Sequence, residues 1–98
     1  MKIETIVFEW DEEKEAENYR KHRIHFSTAL NVFNDPNRVE LFDYRHSTYE
    51  ERYITIGFVN DIIVVVYTMR GDVIRLISAR GANKQETEVY YEYNTLLS

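Results

Sequence analysis

Thr68, Arg70 and Arg75 flank the dipeptide Gly71-Asp72. That dipeptide suits a two-residue hairpin turn, which sets Arg70 opposite Val73 and Thr68 opposite Arg75. Thr68, Arg70 and Arg75 then share one face of the hairpin, and Tyr67, Ser78 and Arg80 are expected on the other. Two guanidiniums and a hydroxyl at one end of a sheet suit bidentate capture of a phosphate. A solvated strand end with surface ion pairs is the alternative that spacing leaves open. His46 lies in a polar stretch just before Glu50, Glu51 and Arg52. A histidine and a carboxylate near arginines could serve metal-free cleavage of RNA. One group takes the 2′-hydroxyl proton, another protonates the leaving oxygen, and arginine stabilises the charge on the crowded phosphate. A loop histidine with no chemical task is the competing reading.

Other candidates carry less. His22 and His25 form an H-x-x-H pair, but no third ligand stands at a persuasive spacing, so no metal site is expected. There is no cysteine, which excludes a disulfide framework and a thiolate zinc site. No glycine-rich phosphate loop is present, and no nucleotide cofactor is expected. Tyr90, Tyr91 and Tyr93 read mainly as helix packing, with one of them able to reach a substrate. Trp10 reads as a core or staple residue.

The 98 residues carry a net charge of −5, an unfavourable balance for a partner made of phosphates. The charge is uneven, however. Residues 9–17 hold six acids against Lys14, whereas residues 70–84 hold Arg70, Arg75, Arg80 and Lys84 against Asp72. A polyanion could therefore be gripped at one end of the molecule. With 44% hydrophobic and 30% charged residues, the chain has a folded composition, and its length suits a single domain over residues 1–98. The start, Met1-Lys2-Ile3-Glu4, lacks a signal-peptide run, and the longest apolar run, 62–67, is too short to span a bilayer. A cytoplasmic protein without membrane partners is expected.

The elements that must position these residues follow from periodicity. Residues 3–9 alternate weakly and read as an edge strand. Asp11 reads as the N-cap of a helix reaching about His22, with Glu17 and Lys21 paired at i,i+4. A second helix, capped by Ser27 and carrying Phe26, Ala29, Leu30 and Phe33 at helical spacing, ends at Asn34-Asp35-Pro36-Asn37. Strands are expected at 38–42, 51–58, 62–69 and 73–80, the third central because both its faces are apolar. Residues 43–49 form a polar loop. Asn83 and Glu86 have capping-box spacing ahead of a last helix with Val89, Tyr93, Leu96 and Leu97 on one stripe. The order is β-αα-ββββ-α, an α+β fold whose antiparallel sheet of four to five strands has helices packed against it.

Taken in order, these pieces resemble a known family. Phe8-Glu9-Trp10-Asp11, Lys14, Asn18 and Lys21-His22 look like the opening signature of the BrnT toxins, continued by Phe26, Ala29, Phe33 and Asp35-Pro36. Asp43, His46-Ser47, Glu50-Glu51-Arg52 and Ile56-Gly57 match the middle block. Val65-Val66-Tyr67-Thr68, Arg70, Ile74-Arg75 and Ile77-Ser78-Ala79-Arg80 match the hairpin block, and Ala82 and Glu86 close it. The resemblance implies a RelE-like fold and a metal-independent endoribonuclease that stops translation. It also implies a BrnA-like antitoxin, in a complex of two toxins with two antitoxins, that touches operator DNA through its own ribbon-helix-helix part. On that resemblance Arg70, Arg75 and Arg80, helped by Lys84, would hold the phosphate. His46 or Glu51 would move the proton, and Thr68 and Ser78 would orient the others. The basic face would serve the RNA and an acidic antitoxin segment alike. Two positions depart from the family pattern. Arg23 stands where Gly usually follows Lys-His, and Gly81 stands where a cation usually follows Ser-Ala-Arg. The second departure predicts weaker RNA binding, and a catalytically weak corepressor that holds a DNA-binding partner is the alternative function.

Overall fold

A computed structural model describes residues 6–97. The first strand, β1 (Val7–Glu9), precedes helix α1 (Glu12–His22), and a short helix α2 (Phe26–Ala29) runs into a 3-10 turn (Leu30–Asn34). Strand β2 (Val39–Phe42), a second 3-10 turn (Tyr44–His46), strands β3 (Arg52–Val59), β4 (Asp61–Arg70) and β5 (Val73–Gly81), and helix α3 (Lys84–Leu97) complete the order. The sheet reads β1-β5-β4-β3-β2. The last four strands form the expected antiparallel meander with β4 at the centre. Strand β1 is an edge strand as expected but joins β5 in parallel, so the sheet is mixed rather than wholly antiparallel. Residues 3–5 of the expected first strand lie outside the described residues.

Local chemistry accounts for the element ends. Asp11 Oδ1 accepts from the N–H groups of Glu13 (2.8 Å) and Lys14 (3.1 Å), the N-cap arrangement that satisfies orphan helix donors. At the other end Arg23 adopts φ 60°, ψ 28° and returns its N–H to the Tyr19 carbonyl. Left-handed backbone there is what glycine usually supplies, and the Arg23 guanidinium lies 5.6 Å from the Tyr19 ring centroid. Ser27 does not cap α2. The helix starts one residue earlier, at Phe26, and Glu15 Oε1 accepts from the Phe26 N–H and from His25 Nδ1 instead. For α3 the capping box forms reciprocally, Asn83 Oδ1 accepting from Glu86 N–H (2.8 Å) and Glu86 Oε1 from Asn83 N–H (3.0 Å).

The sheet buries both faces. Phe26, Ala29 and Val32 pack on Ile63, Val65, Leu76 and Ala79, with Trp10, Phe33 and Ile74 at the margin. On the reverse face α3 sets Tyr90 and Val89 against Val39, Ile56, Ile62 and Val64. Helices thus stand on both faces. The buried stripe of α3 centres on Tyr90, and Tyr93 and Leu96 are exposed, which corrects the expected stripe; the Leu97 side chain lies outside the description. Tyr90 wins because its hydroxyl reaches Asp35 Oδ2 at 2.7 Å.

One side chain closes the free edge of β5 beyond β1. The Asn18 amide on α1 donates to the Ala79 carbonyl (2.9 Å) and accepts from the Ala79 N–H (3.0 Å). It supplies the two bonds that a neighbouring strand would make. Helix α1 is thereby held along the edge of the sheet.

Candidate active site

A bulge in the hairpin decides which residues meet. Arg70 pairs with Val73 and Thr68 with Arg75 as spacing predicts, but Tyr67 pairs with Leu76 and Val66 with Ser78. Ile77 therefore has no partner in the ladder. One extra residue reverses the alternation of everything after it. Ser78 and Arg80 consequently share the face of Val66, Val64 and Thr68. The expectation that they lie with Tyr67 on the opposite face is wrong for this reason.

On that face Ser78 and Arg80 line a cleft of about 370 Å³ together with Arg52 of β3 and Asp43, Arg45 and His46 of the loop after β2. The loop is tied down locally. Ser47 Oγ donates to the Asp43 carbonyl (2.5 Å) and accepts from the Arg52 N–H (3.0 Å), and the Asp43 N–H donates to the Arg52 carbonyl (2.8 Å). His46 is thus fixed beside Arg52. His46 Nδ1 lies 2.9 Å from Asp43 Oδ2 and 3.2 Å from Oδ1. The Asp43 side chain is 11% exposed and that of His46 65%. A largely buried carboxylate that takes the Nδ1 hydrogen leaves Nε2 as the working nitrogen, as in a catalytic aspartate–histidine pair.

Arg52 is the most unusual group of the cleft. Its Nε is buried without a hydrogen-bond partner, and the nearest carboxylate oxygen of Glu50 is 3.6 Å away. A buried charged donor without a hydrogen bond costs stability, and a functional role is one of the explanations for such a group. Arg80 is the opposite case. Its Nη1 and Nη2 donate to Glu86 Oε1 and Oε2, both at 2.8 Å. The paired guanidinium holds the Glu86 carboxyl below its ordinary range despite burial, and ties the end of β5 to the cap of α3.

The remaining sequence candidates disperse. Arg75 turns to Glu9 across β1, Nη1 to Oε1 3.3 Å. Thr68 is buried between Arg52 and Arg75 in the cross-sheet row and donates to the Glu51 carbonyl at 2.6 Å. The Glu51 carboxylate accepts from the Tyr53 hydroxyl at 3.0 Å and does not line the cleft, so the structure does not bring it to His46. Arg70 at the hairpin tip and Lys84 at the start of α3 are exposed. Position 81 pairs with Ile63, so alternation directs it away from the Arg80 face and the missing cation is not a cleft residue. His22 and His25 part company: His22 borders the hollow beside α1, and His25 stacks on Tyr19 at 3.8 Å. Sequence reasoning missed Arg52, Arg45 and Asp43 as site residues. The signal for Arg52 was its place opposite Thr68, legible once β3 is set in register. The signal for Asp43 was its i,i+3 spacing to His46.

A sequence model of the ribonuclease toxin BrnT of type II toxin–antitoxin systems matches residues 10–86. The chain belongs to the BrnT family. The crystal structure of the Brucella abortus ribonuclease toxin, BrnT, is similar to it with a TM-score of 0.63 and 26% identity, over 82% of this chain and 100% of that one. Among curated protein sequences none matches. The BrnT match runs from the residue after β1 into the first turn of α3, and so takes in Asp43, His46, Arg52, Ser78 and Arg80. The fold expected from the resemblance is therefore the fold of a BrnT toxin.

Proposed function

We propose that this chain is a metal-independent endoribonuclease that stops translation and is neutralised by a BrnA-like antitoxin. The observation that carries the chemistry is the Asp43–His46 pair beside the orphaned Nε of Arg52 in one cleft. In the proposed reaction His46 Nε2 takes the proton of the ribose 2′-hydroxyl. The 2′-oxygen attacks phosphorus and the 5′-oxygen leaves with a proton taken from solvent water, giving a 2′,3′-cyclic phosphate and a 5′-hydroxyl; the protonated His46 returns its proton to solvent. Arg52 stands where negative charge grows on the phosphoryl oxygens, and a guanidinium there acts without reorganising; Arg80, held by Glu86, adds its field from the cleft wall. Ser78 offers a hydroxyl to the same phosphate. Thr68 and Arg75 support the floor, Thr68 by holding the Glu51 carbonyl and Arg75 by anchoring β1. Arg70, Lys84 and Glu51 lie outside the cleft and would meet distant parts of the RNA. The family's type II character supports an antitoxin partner; the proposed complex is two toxins with two antitoxins, with operator DNA bound by the antitoxin alone.

Inducible expression in bacteria tests this reading. Wild type should arrest growth with broken RNA, whereas His46→Ala and Arg52→Ala should grow normally at equal soluble protein. Intact RNA in arrested wild-type cells would overturn the ribonuclease reading. Normal growth with soluble wild-type protein would favour the corepressor.

A further inference from the structure

A second hollow of about 340 Å³ opens beside the cleft, and the two share Arg52, Ile77 and Ser78. Its other wall is α1. Lys14, Asn18 and Lys21 recur at i, i+4 and i+7, one face of a helix. Asn18 clamps that face to the edge of β5. Lys14 and Lys21, one turn on either side of the clamp, are thereby carried to the rim, with His22 beside them. The unpaired residue Ile77 forms floor common to both hollows, so the bulge that brings Ser78 and Arg80 into the cleft also joins it to α1. Glu17 is the acid of this hollow, and it is engaged by Lys21 at 3.0 Å and by Arg20 at 3.9 Å. Lys14 has an exposed side chain and takes part in the helix cap through its backbone alone.

We infer that the hollow against α1 is a second phosphate subsite, which holds the phosphodiester next to the one cleaved in a single RNA strand. Arg52, common to both hollows, lies between the two phosphates. The inference rests on the ribonuclease reading and adds to it a direction for the strand, from the His46 loop across Ser78 to α1. It also bears on how a chain of net charge −5 could grip RNA: Glu15 and Glu17 of α1 are paired, with His25 and with Lys21 and Arg20, and Lys14 and Lys21 line the hollow.

Fluorescence anisotropy of a labelled oligouridylate, in a His46→Ala background that leaves the RNA uncut, tests it by charge sign. Lys14→Ala should weaken binding and reduce the slope of log affinity against log salt by about 0.7, the share of one single-strand phosphate contact. Glu17→Gln should tighten binding, a result that a merely structural residue would not give. The dinucleotide UpU, too short to reach α1, should bind the two α1 variants and their parent equally. Unchanged affinity and slope in both α1 variants, with Arg52→Ala still weakening binding, would remove the subsite and leave the ribonuclease reading standing. No RNA binding by any variant, together with no cleavage by wild type, would remove both. Loss of poly-glutamate binding alone in Lys14→Ala would assign the hollow to an acidic polypeptide and overturn the inference.

Discussion

Two polar centres of this molecule are built from the same kinds of group and end in opposite states. At the Asp35 corner every acceptor is used. Asp35 Oδ2 takes the Phe58 N–H (2.9 Å) and the Tyr90 hydroxyl (2.7 Å), and Oδ1 takes the Asn37 N–H (2.8 Å). Burial pushes this carboxyl up, but the donors from Phe58, Tyr90 and Asn37 outweigh it and hold it below its ordinary value. In the cleft, the buried Nε of Arg52 makes no hydrogen bond and has only a long 3.6 Å ion pair with Glu50, and the His46 side chain is largely exposed. A satisfied centre fastens α3 and the turn before β2 to the sheet. An incompletely bonded one has a donor to spare, and in the proposed reaction the phosphate takes it. The contrast separates residues that make the fold from residues that use it.

The comparison breaks most visibly through the cleft. His46→Ala should slow RNA cleavage about 10²–10⁴-fold, the usual worth of a general base, with the unfolding midpoint in urea unchanged. Arg52→Met should cost about 10²–10³-fold in rate and should not lower thermal stability, because the buried Nε makes no hydrogen bond, the long, partly exposed pair with Glu50 contributes little, and methionine keeps an apolar stem. A stability loss in Arg52→Met matching that at Asp35 would show that Arg52 belongs to the fold.

At the corner the order reverses. Asp35→Ala strands the Phe58 N–H and the Tyr90 hydroxyl and should cost about 3 kcal/mol of stability, with cleavage by the remaining folded protein near normal. Gly57→Ala comes next. A Cβ there would stand 2.4 Å from Val32 Cγ2, and 3.3 Å and 3.4 Å from Arg38 Cβ and Asp35 Oδ2. Overpacking of this kind costs about 1–3 kcal/mol, read as a lower melting temperature.

Two finer tests follow. The lowered carboxyls of Asp35 and Glu86 contribute stability that is complete above their ordinary values of 3.8 and 4.5 and is lost as pH falls through the lower folded values. Tyr90, pushed up to about 12 by burial and by Asp35, contributes fully below 10 and loses that contribution as pH rises toward 12. Urea midpoints should fall on both limbs in wild type, and Asp35→Asn should flatten both. At the α1 terminus, Arg23→Gly should be more stable than Arg23→Ala by about 1 kcal/mol, because both lose the contact with Tyr19 and alanine alone keeps the left-handed strain. Equal stabilities would mean that the φ of 60° carries no strain.

Much of this was legible in the chain. The Asp11 cap, the Asn83–Glu86 box, the Gly71-Asp72 turn and the four-strand meander each depend on neighbours within a few residues, and local spacing reports them faithfully. The site was legible in part. His46 and the cationic hairpin stood out by type, and Arg80 and Ser78 lie in the cleft as candidates. Glu51 and Arg75 were drawn in by type and turned away by partners, Tyr53 and Glu9, that no local spacing reveals. Arg52 was passed over because its importance lies in a missing partner.

By itself, then, the sequence determined where elements begin and end, which strands are consecutive neighbours, and the order of residues that marks a BrnT toxin, because these are short-range or linear properties. Only the tertiary structure decided that Ile77 bulges, that Ser78 and Arg80 therefore turn to the face of Thr68, and that Asn18 brings α1 to the edge of β5. The physical reason is the strand period of two: one unpaired residue reverses every side chain beyond it. Whether a residue is unpaired depends on how β4 and β5 settle between α2 on one face and α3 on the other.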